Sequence, residues 1–208
     1  MTDIQGPLDT ASIVWNYGDF LYALYDDPPA AHRLLRMVTD VIIETVEELK
    51  RAFPGLVCMH CPLIWMPSDV GISISDDVMA VISPRTYAEF GVPYNRAIAE
   101  HFGGISIHSC GDISHQIDNL RQIPGLYALN YGTSETPHQA MVEALGGRVL
   151  LVVHQGLNKV IELDSPVAFV RDTLTQTPTG VPLFVVANAA SPPEWTAIRT
   201  LAGRALPT

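Results

Sequence analysis

Four short apolar runs, Ile105–His108, Leu126–Asn130, Val149–Val153 and Leu183–Ala187, recur along the second half of the chain, each followed by a polar loop and a helix-like stretch. Runs this short and this uniformly apolar predict strands buried on both faces, and therefore parallel pairing. Ile72–Asp76 alternates apolar and polar and predicts another strand; Ser12–Trp15 is counted as a sixth. Between the runs, Ser83-Pro84, Ser165-Pro166 and Ser191-Pro192-Pro193-Glu194 put serine at an N-cap with proline where its missing N–H costs nothing, and the last is also a capping box. Gly103-Gly104 and Gly146-Gly147 supply C-terminal stops. Strand and helix alternating at this spacing predict an α/β fold.

Ahead of this, Asp26-Asp27-Pro28-Pro29 opens a long helix whose stripe Leu34, Val38, Ile42, Val46 and Leu49 recurs every three or four residues and is read as core, before Pro54-Gly55 stops it. Val57–Cys61 reads either as a strand or, with Pro62 and Pro67 close by, as part of a long excursion. No linker or low-complexity segment interrupts the 208 residues, so one domain is expected.

The most chemically loaded stretch is His108-Ser109-Cys110-Gly111, where the first of these four runs ends. On a strand, residues two apart point the same way, so the imidazole and the thiol converge on one volume. Nitrogen plus soft sulfur is a zinc-type donor pair, though two donors make half a site. Packed core is the competing reading of both residues. Cys58-Met59-His60-Cys61 is a second soft cluster, with a spacing that matches no zinc finger.

Composition narrows the partners. With 48% hydrophobic and 16% charged residues the chain is globular. Its 22 acidic against 12 basic residues, a net −10, would repel nucleic acid and anionic lipid. No apolar run approaches the ~20 residues that span a bilayer, and no signal peptide is legible, so a cytoplasmic location is expected and no membrane partner. Three cysteines, an odd number, favour thiols or ligands over a disulfide framework.

The ordered series Gly6-Pro7-Leu8, Asp26-Asp27-Pro28, Asp76-Asp77, Ile82-Ser83-Pro84, Tyr87-x-Glu89-Phe90, Pro93-Tyr94 and His108-x-Cys110-Gly111 resembles the uroporphyrinogen decarboxylase superfamily, which includes zinc-dependent corrinoid methyltransferases. The resemblance runs from about Gly6 to Leu201. It implies a TIM-type β/α barrel with parallel strands and outer helices, here incomplete, with about six of eight strands and only the C-terminal two thirds of a family chain. Self-association is expected to cover the exposed strand edges. Chemistry in such barrels sits at the C-terminal ends of the strands. That rim is where Asp76, Asp77, His108, Cys110, Asn130, Tyr131, His154 and Asn188 fall.

Within the resemblance, Asp76, His108 and Cys110 are the candidate catalytic residues, His108 and Cys110 the metal ligands, and Asp77, Asn130, Tyr131, His154 and Asn188 the candidate contacts to a small-molecule substrate. The methyltransferase branch implies zinc, a thiol acceptor and a methyl donor that is a corrinoid protein or a methylated substrate. Its third ligand, a cysteine near the last strand, is missing from Val185–Ser191; Asp76, Asp77, His60, Cys61 or His154 stand as alternatives. Uroporphyrinogen decarboxylation is a second reading, weakened because Lys159 is the clearest basic residue on a rim loop. A third is a degenerate barrel that binds a small molecule or a partner subunit without catalysis. Tyr87, Phe90 and Tyr94 are expected in the core, His101 as a helix C-terminal cap, His115 and His138 as solvated or capping, and Trp15 and Trp65 as packing or pocket lining.

Overall fold

A computed structural model describes residues 4–57, 67, 69–156 and 165–205. Three helices come first: α1 (Pro7–Trp15), α2 (Tyr17–Asp26) and α3 (Pro28–Ala52). Then strands and helices alternate: β1 (Ile72–Ser75), α4 (Pro84–Phe90), α5 (Val92–Phe102), β2 (Ile105–Ser109), α6 (Ile117–Leu120), β3 (Leu126–Gly132), α7 (His138–Leu145), β4 (Leu150–His154), α8 (Pro166–Gln176), β5 (Leu183–Val186) and α9 (Pro192–Ala205). Short 3-10 turns follow β1 and β2 at Asp77–Ala80 and Ser114–Gln116. The α/β class expected from the pattern is what forms.

All strand pairs are parallel and the sheet order is β1-β2-β3-β4-β5, the order of the chain. Right-handed crossovers that never reverse direction place their helices on one face of a sheet. Register identifies that face. Ile72 and Ile74, Ile105 and Ile107, Leu129 and Tyr131, Leu151 and Val153 share it, and they join one core with Leu35, Tyr87, Phe90, Ile98, Met141, Leu145 and Phe169 of the helices. The opposite face carries Ser73, Ser75, Ser106, His108, Ala128 and Asn130 on β1 to β3 and His154 at the end of β4, small or polar residues, while Leu150 and Val152 of β4 and Phe184 and Val186 of β5 continue the same face in register.

Helix starts follow local chemistry. Ser83 Oγ accepts from the Thr86 N–H (3.1 Å), Ser165 Oγ from Ala168 (3.2 Å) and the Asp27 carboxylate from Ala30 (3.0 Å). At α9, Ser191 Oγ accepts from Glu194 (3.5 Å), while the Glu194 carboxylate reaches back one residue further than a capping box requires, to the Ala190 N–H (2.8 Å). Gly103, with φ of 77°, ends α5 in the left-handed region open to glycine.

Several expectations are corrected. Ser12–Trp15 is the last turn of α1, not a strand: Leu8, Ala11 and Ser12 are buried at helical spacing, with Ile13 and Val14 exposed. A four-residue apolar run does not distinguish the two, and Pro7 at the first helical position decides for helix. Five strands therefore form where six were counted. β5 is a half-exposed edge with Phe184 44% exposed, not a buried strand. The stripe of α3 turns on Ala31, Leu35, Val38, Ile42 and Val46, leaving Leu34 and Leu49 at its margin. His138 is buried, not solvated, whereas His101 stands in the last turn of α5 as expected and also pairs with Glu47 (2.9 Å). Cys58, His60, Cys61, Trp65 and Lys159 lie outside the described residues. Among the described residues, no helix is long and apolar enough to cross a membrane.

Candidate metal and substrate site

The polar face of the sheet gathers at the C-terminal ends of β1, β2 and β4. His108, on β2, is opposite Ser75 on β1 and Asn130 on β3, and its ring stacks against that of His154 at the end of β4, with centroids 6.0 Å apart and planes 24° apart. Cys110 continues the alternation past the strand end, and its Sγ lies 3.4 Å from His108 Nε2. Asp77 completes the group: its Oδ1 accepts the Cys110 N–H (2.7 Å) and lies 4.0 Å from His108 Nε2. One ligand atom from each of Asp77, His108 and Cys110 falls within 4.8 Å of the others.

Asn130 sets the state of both imidazoles. Its Nδ2 donates to the Val152 carbonyl (2.7 Å) and faces His154 Nδ1 (3.3 Å), so its two protons are committed and Oδ1 is left as acceptor. His108 Nδ1 donates to that Oδ1. The His108 proton is thereby placed on Nδ1, and the Nε2 lone pair faces Cys110 and Asp77, the arrangement that orients a metal-binding histidine. His154 accepts at Nδ1 and carries its proton on Nε2. Burial first, then the neighbouring His108, pushes the His154 pKa down to about 4, so the ring is neutral.

The two neighbouring aspartates part company. Asp76 follows the outward alternation into the helix layer, where its Oδ2 accepts from Tyr87 (2.8 Å) on α4 and Asn95 (2.6 Å) on α5. It is fully buried, its Oδ1 has no partner among the described residues, and desolvation, followed by the nearby Asp9 charge, pushes its pKa up to about 8. Asp76 is therefore a neutral acid at pH 7. Asp77, one residue on, projects the other way with its side chain 49% exposed. Of the alternatives for a third donor, the fold brings Asp77 to the His–Cys pair and sends Asp76 behind it.

Asp9, which sequence reading passed over, holds this turn. Its carboxylate accepts from Ser75 Oγ (2.7 Å), the Asp77 N–H (3.0 Å) and the Val78 N–H (3.0 Å), tying α1 to the end of β1. Burial raises its pKa against the lowering effect of those hydrogen bonds. Its one sequence signal is an acidic residue in the first turn of a helix, which is too common to single it out.

Tyr131 and Asn188 are not brought to the group. Tyr131 lies on the helix-facing side, fully buried, with its hydroxyl hydrogen-bonded to His138 of α7 (2.8 Å), because residues next to one another on a strand face opposite ways. Asn188 is exposed on the loop after the edge strand.

The donors fit zinc. Tetrahedral zinc with ordinary Zn–S and Zn–N bonds separates sulfur and nitrogen by roughly 3.5 Å, against 3.4 Å here. The Asp77–His108 separation is wider than the matching edge of such a tetrahedron, on the side whose carboxylate is half exposed and held by the Cys110 N–H. Three protein ligands of mixed type leaving one position for substrate is the pattern of catalytic zinc.

No protein-family model matches the chain, and no curated protein matches it. Among solved structures, a methyltransferase from Methanosarcina mazei has a similar fold, with a TM-score of 0.68 over 97% of this chain at 16% identity. The match covers 56% of that structure's chain, so this chain spans little more than half its length. At this identity the likeness is one of fold.

Proposed function

We propose that the chain is a methyltransferase-like member of the uroporphyrinogen decarboxylase superfamily, transferring a methyl group to the sulfur of a small thiol. The observation that carries this is the convergence of Asp77, His108 and Cys110 at the strand ends with the His108 lone pair fixed toward the other two donors. Zinc held there would act as a Lewis acid that makes a substrate thiol available as thiolate at neutral pH. His108 and Cys110 supply soft and borderline donors, Asp77 balances charge, and Asn130 keeps His108 in the ligating tautomer. The thiolate sulfur attacks the methyl carbon of a corrinoid protein or a methylated substrate, the thioether forms, and the bond from methyl to its carrier breaks with its electron pair staying on the carrier.

Equilibrium zinc measurement on metal-free protein tests it: one zinc per chain is expected, lost in His108→Ala and Cys110→Ser and weakened in Asp77→Asn. Absence of stoichiometric zinc ends the reading. Loaded protein should then methylate a small thiol from a methylated corrinoid donor.

The same reading makes the sheet part of a β/α barrel. Strands in chain order with helices against one face and chemistry on the other support it. The backbone of Ile4–Gly6 already runs parallel beside β1, through Gly6 N–H to Ser75 O (2.8 Å) and Ser75 N–H to Ile4 O (3.0 Å). Exposed Ile13 and Val14 on α1, Tyr22 and Tyr25 on α2 and Phe184 on the edge strand β5 favour self-association in this proposal. A strictly monomeric species by light scattering at micromolar concentration would rule the association out.

A further inference from the structure

Beside the donor group, at the ends of β3 and β4, three buried polar side-chain atoms have no hydrogen-bond partner among the described residues: Ser134 Oγ, Glu135 Oε2 and His154 Nε2. Native proteins satisfy nearly all such atoms, so three in one place call for an occupant. They are neighbours. Gly132 is the register partner of His154 and shares its polar face, and a β-carbon on Gly132 would stand 2.7 Å from Glu135 Oε2. One on Gly156 would stand 1.9 Å from Ser134 Oγ. The Glu135 carboxylate thus occupies the side-chain space that Gly132 leaves open, at the register position across from His154, and Gly156, with φ of 129°, gives room to Ser134. Backbone bonds hold the two loops together: Thr133 N–H to His154 O (2.9 Å), Ser134 N–H to Gln155 O (3.1 Å) and Thr136 N–H to Gly132 O (2.9 Å).

From this arrangement we infer a subsite, formed by Ser134, Glu135 and His154, that receives a neutral polar group able both to donate and to accept hydrogen bonds, a hydroxyl, diol or carboxamide. The chemistry of the three atoms selects the class. His154 Nε2–H, fixed as donor by Asn130 at the other nitrogen, needs an acceptor. Glu135 Oε2 needs a donor, and the Ser134 hydroxyl serves either way. An anion would satisfy His154 and meet the Glu135 charge; an ammonium would satisfy Glu135 and leave the His154 proton unpaired. His154 is 8% exposed and its ring lies 6.0 Å from that of His108, so an occupant of the subsite is a few bonds from the donor group. The inference rests on the methyl-transfer reading only in naming this group as the polar end of the thiol substrate.

Three small thiols that differ at the far end test it: 1-thioglycerol, cysteamine and 3-mercaptopropionate. Each is titrated into the full chain without metal, following the His154 Nε2–H signal by nitrogen-15 NMR, assigned with His154→Gln. Thioglycerol is expected to shift the signal saturably and to bind about tenfold or more tighter than 3-mercaptopropionate, whose carboxylate faces Glu135. Glu135→Gln should narrow that ratio by strengthening the anion, a reversal that a merely structural glutamate would not produce. Ser134→Ala should weaken thioglycerol. The inference is overturned if no thiol moves the signal, or if the anion or the ammonium matches thioglycerol in the unmodified chain. Because these titrations need no zinc, a failed zinc measurement leaves them standing, and zinc binding with a silent His154 removes the subsite alone.

Discussion

The two faces of the sheet are made by the same five strands and differ in almost every property. One face presents isoleucine, leucine, valine and Tyr131 to the helices and is sealed; the other presents serines, Ala128, Asn130 and two histidines, turning apolar only toward β5 at Val152 and Phe184, and its upper end holds the donor group and the unpartnered atoms beside it. Alternation along a strand generates both at once, so each residue that enters the site is flanked by residues that build the core. His108 lies between Ile107 and the buried Ser109, and Asn130 between Leu129 and Tyr131. Stability and chemistry are thus separable by parity of position. The pair Asp76 and Asp77 carries the rule past the strand end, one acid turned to the helices and its neighbour to the site.

That separation can be broken at the apolar face first. Ile107→Ala removes a fully buried side chain and should cost about 2–5 kcal/mol in urea unfolding, with zinc binding per folded chain unchanged. If zinc affinity collapses along with stability, the faces are not independent. Next comes Asp76→Asn. The folded pKa of Asp76, about 8, lies above its ordinary value of 3.8. Its contribution is therefore complete below pH 4 and is lost as pH rises toward 8, where ionising a buried carboxyl opposes folding. Asparagine keeps the neutral shape, so the variant should gain on the parent across pH 5 to 8, by up to roughly 5 kcal/mol at the upper end; equal pH profiles would show that Asp76 ionises without cost.

On the polar face, Asn130→Ala should leave the fold intact and weaken zinc by roughly tenfold or more through loss of the His108 tautomer, whereas unchanged affinity would make Asn130 a packing residue. The smallest effect belongs to His138 in the helix layer, whose pKa burial lowers. A histidine held neutral in the fold disfavours acid, so stability should decline as pH falls below about 6.5, and His138→Asn should flatten that decline by under about 1 kcal/mol. A steeper decline in the variant would contradict the buried neutral state.

Much of this was legible along the chain. The strand starting at Ile105, the serine caps of α4 and α8 and the proline start of α3 depend on neighbours within a few residues, and there local chemistry suffices. The juxtaposition of His108 and Cys110 was legible for the same reason, since two residues of one strand end share a direction whatever surrounds them. α1 and α2 were not, because Ser12–Trp15 is as apolar as a strand and only burial of Leu8 and Ala11 at helical spacing reveals the period. Asp9 and Glu135 were missed because their partners, Ser75 with the Asp77–Val78 turn and the open space over Gly132, are contributed by other segments.

By itself the sequence determined an α/β chain of parallel strands, the ends of most of its helices, and an imidazole–thiol pair at the end of one strand, all consequences of short-range sterics and periodicity. Only the tertiary structure decided that Asp77 and not Asp76 joins that pair, that Asn130 fixes the His108 proton, and that Tyr131 turns away. Those choices depend on how far each strand runs before its loop begins and on which side of the sheet the next residue then falls. They are settled by register between segments distant in the chain, which no local pattern encodes.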